Sequence, residues 1–223
     1  MTEIKTLLIQ FDNPIEREEI KFFRAAVISS LQEKDVLFHN HVEEGYRYAY
    51  PLIQYKRIHG KAAIFCIGEG VDAIYGYFTS NNFSYQLGER HIEAKLDHIL
   101  AQTFTPEKSD SLTSYRVKNW LPLNKENYAT YQQLDNMVER IGLLEKILVG
   151  NLMSLFKGIG IHIDTDIKVS ITDIKSQHTI RYKDIKLSAF DIEFKSNVQL
   201  PDYIGIGKSV SQGYGVVEAI DKD

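Results

Sequence analysis

The chain has 223 residues, 43% of them hydrophobic, with 26 Lys and Arg against 30 Asp and Glu and a formal net charge of −4. That length builds one large domain or two small ones, each with its own core. The slight acidity argues against a general polyanion binder but leaves room for a local basic patch. The longest apolar runs, such as AAIF ahead of Cys66, are far too short to span a bilayer, and a single cysteine makes no internal disulfide, which fits a reducing cytoplasm.

The first segment, IKTLLIQF, alternates Ile4, Thr6 and Leu8 with Leu7, Ile9 and Phe11 and predicts a buried strand. Next, Asn13 is placed to cap a helix, with Pro14 at its first position and Glu16 and Glu18 near its N-terminal end. Ile20, Phe23, Val27 and Leu31 then follow helical spacing. The run LIQYKRIHGKAAIFCIG predicts a hairpin turning at His59-Gly60. VDAIYGYF has the spacing of a short helix, while HIEAKLDHILAQTF suits strand and helix equally. The order strand, helix, strand, strand, helix, strand is the ferredoxin-like βαββαβ arrangement.

The polar stretch TPEKSDSLTS reads as a loop and sets a domain boundary, giving units 1–108 and 109–223. The pattern then restarts. YRVKNWLPLN is strand-like, and a long helix is predicted from about Lys125 to Phe156. Its stripe is Leu134, Val138, Ile141, Glu145, Leu148, Leu152 and Leu155, with Glu145 the one polar member. DIKVSITDI, HTIRYKDIKLSAFDIEF and GVVEAI follow as strands. The fold class is therefore α+β: tandem ferredoxin-like domains with antiparallel sheets, the second irregular, and a glycine-rich loop near the C-terminus.

That loop, GIGKSVSQGYG at 205–215, contains Gly-Lys-Ser and invites a nucleotide P-loop reading. A P-loop needs glycine five residues before Gly207 and a helix after it; the residue there is Asp202, and the downstream segment alternates like a strand. What remains is Gly-hydrophobic-Gly, five residues, Gly-hydrophobic-Gly. Its glycines permit positive φ and close approach, so that amides can face an anion beside Lys208. A plain strand-end loop explains the composition equally well.

A second stretch, LFHNHVEEGYRYAYPLIQYK, holds His39 and His41 two residues apart, then Tyr46, Tyr48 and Tyr50 in alternation. The pair lacks the further Cys or His needed for a convincing metal site, so no metal or other cofactor is expected. Imidazoles titrate near neutrality and can divide the roles of base and acid, although two turn histidines without chemistry fit the residues as well. The hairpin YKRIHGK gathers Lys56, Arg57, His59 and Lys61 around Tyr55, a mixture suited to single-stranded RNA. RYKDIK, with Arg181, Lys183 and Lys186, is a weaker echo, and His91, His98, His162 and His178 receive no role.

Together these features resemble the CRISPR repeat-processing endoribonucleases of the RAMP superfamily, in their subtype-I-B-like branch. The resemblance rests on GIGKSVSQGYG, which matches the family loop at every glycine, and on FHNH…YRYAYPLIQYK…GKAAIFCIGEG. It implies metal-independent cutting of CRISPR precursor RNA within its repeats, leaving a 5′-hydroxyl and a 2′,3′-cyclic phosphate. His39 and His41 would be base and acid in either order, with Tyr46 or Tyr48 orienting or protonating. Gly205, Gly207, Lys208, Ser209, Gly213 and Gly215 would form the RNA-facing loop, and Lys56, Arg57 and His59 a further RNA contact. Implied partners are CRISPR repeat RNA, with effector-complex proteins and a homodimer left open. The competing readings are a non-cleaving RNA-binding subunit of an effector complex and a P-loop-like nucleotide-binding regulator.

Overall fold

The computed structural model describes residues 3–31, 36–39, 41–42, 45–46, 50–80, 83–106, 108–163, 166–182 and 185–220, with backbone alone for residues 36, 39, 41, 42, 45, 46, 79, 80 and 108–110. The chain divides into two compact units. One is Met1–Thr105 together with Val210–Gly213; the other is Pro106–Ser209 together with Tyr214–Asp223.

The first unit runs β1 (Ile4–Pro14), a 3₁₀ turn (Arg17–Glu19), α1 (Ile20–Ser29), α2 (Val36–His39), β2 (His41–Val42) and β3 (Gly45–Tyr46). It continues with β4 (Ile53–Ile58), β5 (Lys61–Ile67), α3 (Glu69–Ser80), β6 (Ser84–Leu87), β7 (Arg90–Glu93) and β8 (Leu96–Phe104). Its four-stranded sheet has the order β4-β5-β1-β8, antiparallel throughout. That is the expected ferredoxin-like arrangement, with β1 and β5 central.

The helix start differs from the sequence expectation. Pro14 ends β1, where a missing N–H breaks no ladder, rather than opening a helix. A capping box between Glu16 and Glu19 then starts the 3₁₀ turn that leads into α1. His59 and Gly60 both take positive φ, as a two-residue hairpin turn requires. The ambiguous HIEAKLDHILAQTF resolves into two strands. They separate at Ala94-Lys95, where the Lys95 amide donates to Asp12 Oδ1 at 2.9 Å and the Asp12 amide donates to the Lys95 carbonyl at 2.9 Å.

Ile9, Phe11, Phe23, Val27, Tyr55, Ile64, Cys66, Ile74 and Tyr77 form one buried cluster. Each large apolar side chain so buried contributes about 1.5–3 kcal/mol. Phe23 meets Phe11, Tyr55 and Tyr85 edge-on at centroid distances of 5.8, 6.0 and 5.4 Å. The Tyr77 and Tyr85 hydroxyls hydrogen-bond each other inside this cluster.

The second unit runs β9 (Lys108–Trp120), α4 (Lys125–Gln133), α5 (Met137–Gly158), β10 (Val169–Tyr182), β11 (Ile185–Val198), a 3₁₀ turn (Val210–Gln212) that belongs to the first unit, and β12 (Val216–Ala219). The polar run expected as a loop is strand instead, because KSDSLTS pairs with β11. Its sheet, β10-β11-β9-β12, repeats the strand order of the first unit. One departure stands out: between β11 and β12 the second helix of the motif is missing, and residues 199–215 with their glycines take its place.

The predicted long helix is two. It breaks at Leu134, whose backbone is extended, and restarts at Asn136, whose side chain accepts the Glu139 amide at 2.9 Å. Leu144, Leu148, Leu152, Leu155 and Phe156 carry the buried face of α5, while Val138 is 80% exposed. Glu145, the polar member of the stripe, accepts the Ile171 amide at 2.8 Å and so fixes the beginning of β10.

Candidate functional site

The glycine loop is built by close packing. Gly205 forms an isolated bridge with Val216, the Ile206 amide donates to the Gly215 carbonyl at 2.9 Å, and the Gly215 amide donates to the Asn119 carbonyl at 3.1 Å. Gly215 has φ +64, and a Cβ there would strike the Ile206 carbonyl oxygen. A Cβ on Gly207 would lie 2.8 Å from the Trp120 ring, whose Nε1–H donates to Asn151 Oδ1 at 2.8 Å. Gly213, in the first unit, approaches Ile20 Cδ1 and the Tyr55 carbonyl at 2.9 and 3.2 Å from its Cβ position.

The expectation that the loop turns its glycines towards a ligand therefore changes. Gly205, Gly213 and Gly215 are buried, and the amides of Gly213 and Gly215 already serve backbone carbonyls. The glycines let the chain pack under itself. Exposure falls on Lys208, with Gly207, Ser209 and Tyr214 half-buried. Lys208 Nζ donates to the Leu123 carbonyl at 3.1 Å, which leaves two of its N–H groups for another acceptor. Partial burial lowers its pKa from the ordinary lysine value. Asp202, which spoils the P-loop pattern, accepts the Ala219 amide at 2.6 Å and holds β12 in place.

The basic hairpin separates by residue. Arg57 and His59 are exposed; Arg57 Nε donates to the Ile15 carbonyl at 2.6 Å, and its guanidinium lies 3.9 Å from Glu16. Lys56 is 0% exposed, so its reading as a surface RNA contact is corrected: side chains alternate along β4, and Lys56 points opposite to Arg57 into packed protein. These residues belong to the first unit and Lys208 to the second.

For the histidine segment the backbone is described. His39 ends α2, His41 opens β2, and the β2–β3 register pairs His41 with Tyr46. Tyr48 and Lys183 lie outside the described residues. Among the described residues no three His, Cys, Asp or Glu side chains group as metal ligands would, and no helix is long and apolar enough to cross a membrane.

A polar cluster beside the glycine loop was not foreseen. Opposite Asp191, β9 carries one extra residue between Val117 and Trp120, and β10 carries one between Ile174 and Ser176. These two bulges bring Asn119 and Ser176 to Asp191, with His178 beside both. The Asn119 amide donates to Asp191 Oδ1 at 2.6 Å, and Ser176 Oγ donates to Asp191 Oδ2 at 2.8 Å. His178 Nε2 donates to Asn119 Oδ1 at 3.2 Å, and its Nδ1 lies 3.3 Å from Ser176 Oγ. Nearby, Tyr182 on β10 meets Tyr214 of the loop edge-on at 5.9 Å.

Comparison with known families matches residues 2–105 to the Cas6b N-terminal domain and residues 107–220 to the Cas6b C-terminal domain. The chain belongs to the Cas6b family. A crystal structure of Cas6b is similar over 98% of this chain and 100% of that one, with a TM-score of 0.90 at 22% identity. A crystal structure described as the CRISPR RNA processing endoribonuclease Cas6b gives 0.75 at 23% identity, again over 98% and 100%. Csf5, a type IV CRISPR-Cas Cas6 crRNA endonuclease, gives 0.62 at 12% identity, over 99% and 100%. At such identities the likeness is one of fold. An uncharacterized protein of Methanocaldococcus jannaschii, MJ0978, is 33% identical over 115 residues, 51% of this chain and 77% of that protein.

Cas6b membership agrees with the resemblance drawn from the glycine loop and the histidine segment. In this Cas6b chain the loop pattern was legible because sterics fix its glycines. The Asn119–His178–Asp191 cluster was not, because a bulge brings it together and a bulge leaves little trace in alternation. The one available signal was Ser176, His178, Ile180 and Tyr182 sharing a strand parity.

Proposed function

We propose that the chain is a metal-independent endoribonuclease that cuts CRISPR precursor RNA within its repeats. The observation that carries this reading is the match of both halves of the chain, 2–105 and 107–220, to the two Cas6b domains. The chemistry needs a base to take the 2′-hydroxyl proton, so that this oxygen attacks the adjacent phosphorus. It also needs an acid to protonate the departing 5′-oxygen, leaving a 2′,3′-cyclic phosphate and a 5′-hydroxyl. His39 and His41 suit these roles because imidazole both gives and takes protons near neutrality. Tyr46, paired with His41 across the short ladder, is the candidate for orienting the reacting groups. Lys208, Arg57 and His59 are the exposed donors proposed for RNA contact.

The test is cleavage of repeat RNA from the host's own array in excess EDTA. Cleavage is expected to persist without divalent metal, to yield cyclic phosphate ends, and to fall at least 100-fold in His39→Ala or His41→Ala, about the share of one general acid or base. Full activity in the double variant would remove the histidines from the mechanism. Tight, salt-dependent binding that leaves the RNA intact would replace this reading with a non-cleaving RNA-binding subunit.

A further inference from the structure

We infer that His178 is a positioning residue for the glycine loop, acting through Asn119. Its bearing on RNA rests on the function proposed above. At the loop's C-terminal side the Gly215 amide donates to the Asn119 carbonyl at 3.1 Å, beside the Ile206–Gly215 bond and the start of the β12–β9 ladder at Val216. Asn119 stands opposite Gly215, one step beyond the Val216–Lys118 pair, in a left-handed conformation, φ +51, that asparagine tolerates better than most side chains and that its neighbours hold in place.

Two contacts do so. Asp191 Oδ1 accepts the Asn119 amide, and His178 Nε2 donates to the Asn119 side chain. Ser176 joins the two supports, donating to Asp191 Oδ2 and lying beside His178 Nδ1. The histidine thus has both ring nitrogens in protein contacts and is half-buried. Its polar groups are spent on Asn119 and Ser176, which is the pattern of a support rather than of a group waiting for substrate.

The bulges point the same way. A regular β9–β11 ladder would keep Asn119 in extended backbone. The extra residue in β9 leaves the Asn119 amide to the Asp191 side chain, and the extra residue in β10 brings Ser176 opposite Asp191. Two irregularities, in the strands on either side of β11, meet at its Asp191 and support Asn119, which accepts the Gly215 amide. Gly215 in turn fixes Ile206, whose amide it accepts, and so the entry to Gly207 and Lys208. Loosening Asn119 should therefore be felt at the loop's exposed lysine.

The experiment compares His178→Ala, His178→Phe and His178→Gln in the full chain by amide hydrogen exchange at Gly215 and by repeat-RNA cleavage. Phe keeps the ring volume without the bonds, and Gln returns a donor close to the position of Nε2. The expected result is exchange at Gly215 accelerated at least tenfold in Ala and Phe and restored towards wild type in Gln. With it, KM for RNA should rise about tenfold in Ala and Phe while kcat stays within twofold. Equal behaviour of Gln and Phe, unchanged exchange in all three, or faster exchange with an unaltered KM would each overturn the inference. The exchange arm needs no RNA. A wild-type chain that ignores repeat RNA would remove the endoribonuclease reading, while exchange at Gly215 would still decide whether His178 holds the loop. If Ala proves unstable by thermal melting, the contrast of Phe with Gln decides alone.

Discussion

Lys56 shows how far a single residue can depart from its sequence context. Within YKRIHGK it reads as one basic residue among several, yet its ammonium is buried without a hydrogen-bond partner among the described residues, 6.0 Å from the Phe65 ring. Desolvation lowers its pKa from 10.5 to about 7. The unfolded chain keeps that proton up to about 10.5, so between these values it binds more protons than the folded chain, and stability rises with pH across the window. Burial acts oppositely on the Cys66 thiol, raised above its ordinary 9.0, and on the phenols of Tyr55, Tyr77 and Tyr85, raised above 10.0. The unfolded chain sheds those protons first, which costs stability above pH 9. The melting temperature is therefore expected to climb from pH 7 to about pH 9 and then to fall. Lys56→Met should flatten the climb and raise the melting temperature at neutral pH. A climb that survives this substitution would trace to another group. Nothing in the sequence marked Lys56 as interior, because it reads like its basic neighbours Arg57 and His59, which are exposed.

Among the elements, those that alternate or repeat regularly were legible. β1, the β4–β5 hairpin, α3 and the lower half of α5 follow from apolar spacing, since burial of one face is what forms them. The errors gathered where a local signal competed with tertiary contacts. Asn13-Pro14 resembles a helix start but is claimed by β1, and KSDSLTS looks like a linker until β11 pairs with it. The break between α4 and α5 went unseen because Leu134 and Val138 fit one stripe, although neither is buried. Inside α5, Gly142 and Gly150 have nothing within 4 Å of a Cβ position. Each costs the helix about 0.5–1 kcal/mol relative to alanine. Gly142→Ala is expected to stabilise the chain by that amount in urea unfolding, with an unchanged slope. A loss of stability would mean that this face of α5 is covered by something.

At the scale of the whole molecule, the α+β class and the doubled strand order were readable from the alternation of elements. The irregularity of the later unit was readable as well, since no helical spacing precedes GVVEAI, although GIGKSVSQGYG does not say what it replaces. Nor did the sequence show that one stretch serves two bodies: Val210–Gly213 belongs with Met1–Thr105, while Gly205 and Gly215 on either side pack in the second unit. Deleting residues 199–223 removes β12 from one sheet and, from the other unit, the turn that packs on α1 and β4. Faster hydrogen exchange is therefore expected in α1 and β4 as well as in β9. Full protection of α1 and β4 in the shortened chain would make Val210–Gly213 a passenger rather than a part.

This sharing also imposes an order on synthesis. Domains ordinarily fold as units while the ribosome is still extending the chain, the earlier one first. Here the earlier unit lacks its last piece until β9, α4, α5 and the β10–β11 hairpin have emerged. The nascent first unit stays incomplete along α1 and β4 until Val210–Gly213 has been made. Its maturation is thereby tied to synthesis of a segment that follows most of the second unit, and a product that stops short of that segment carries two unfinished units instead of one finished and one absent.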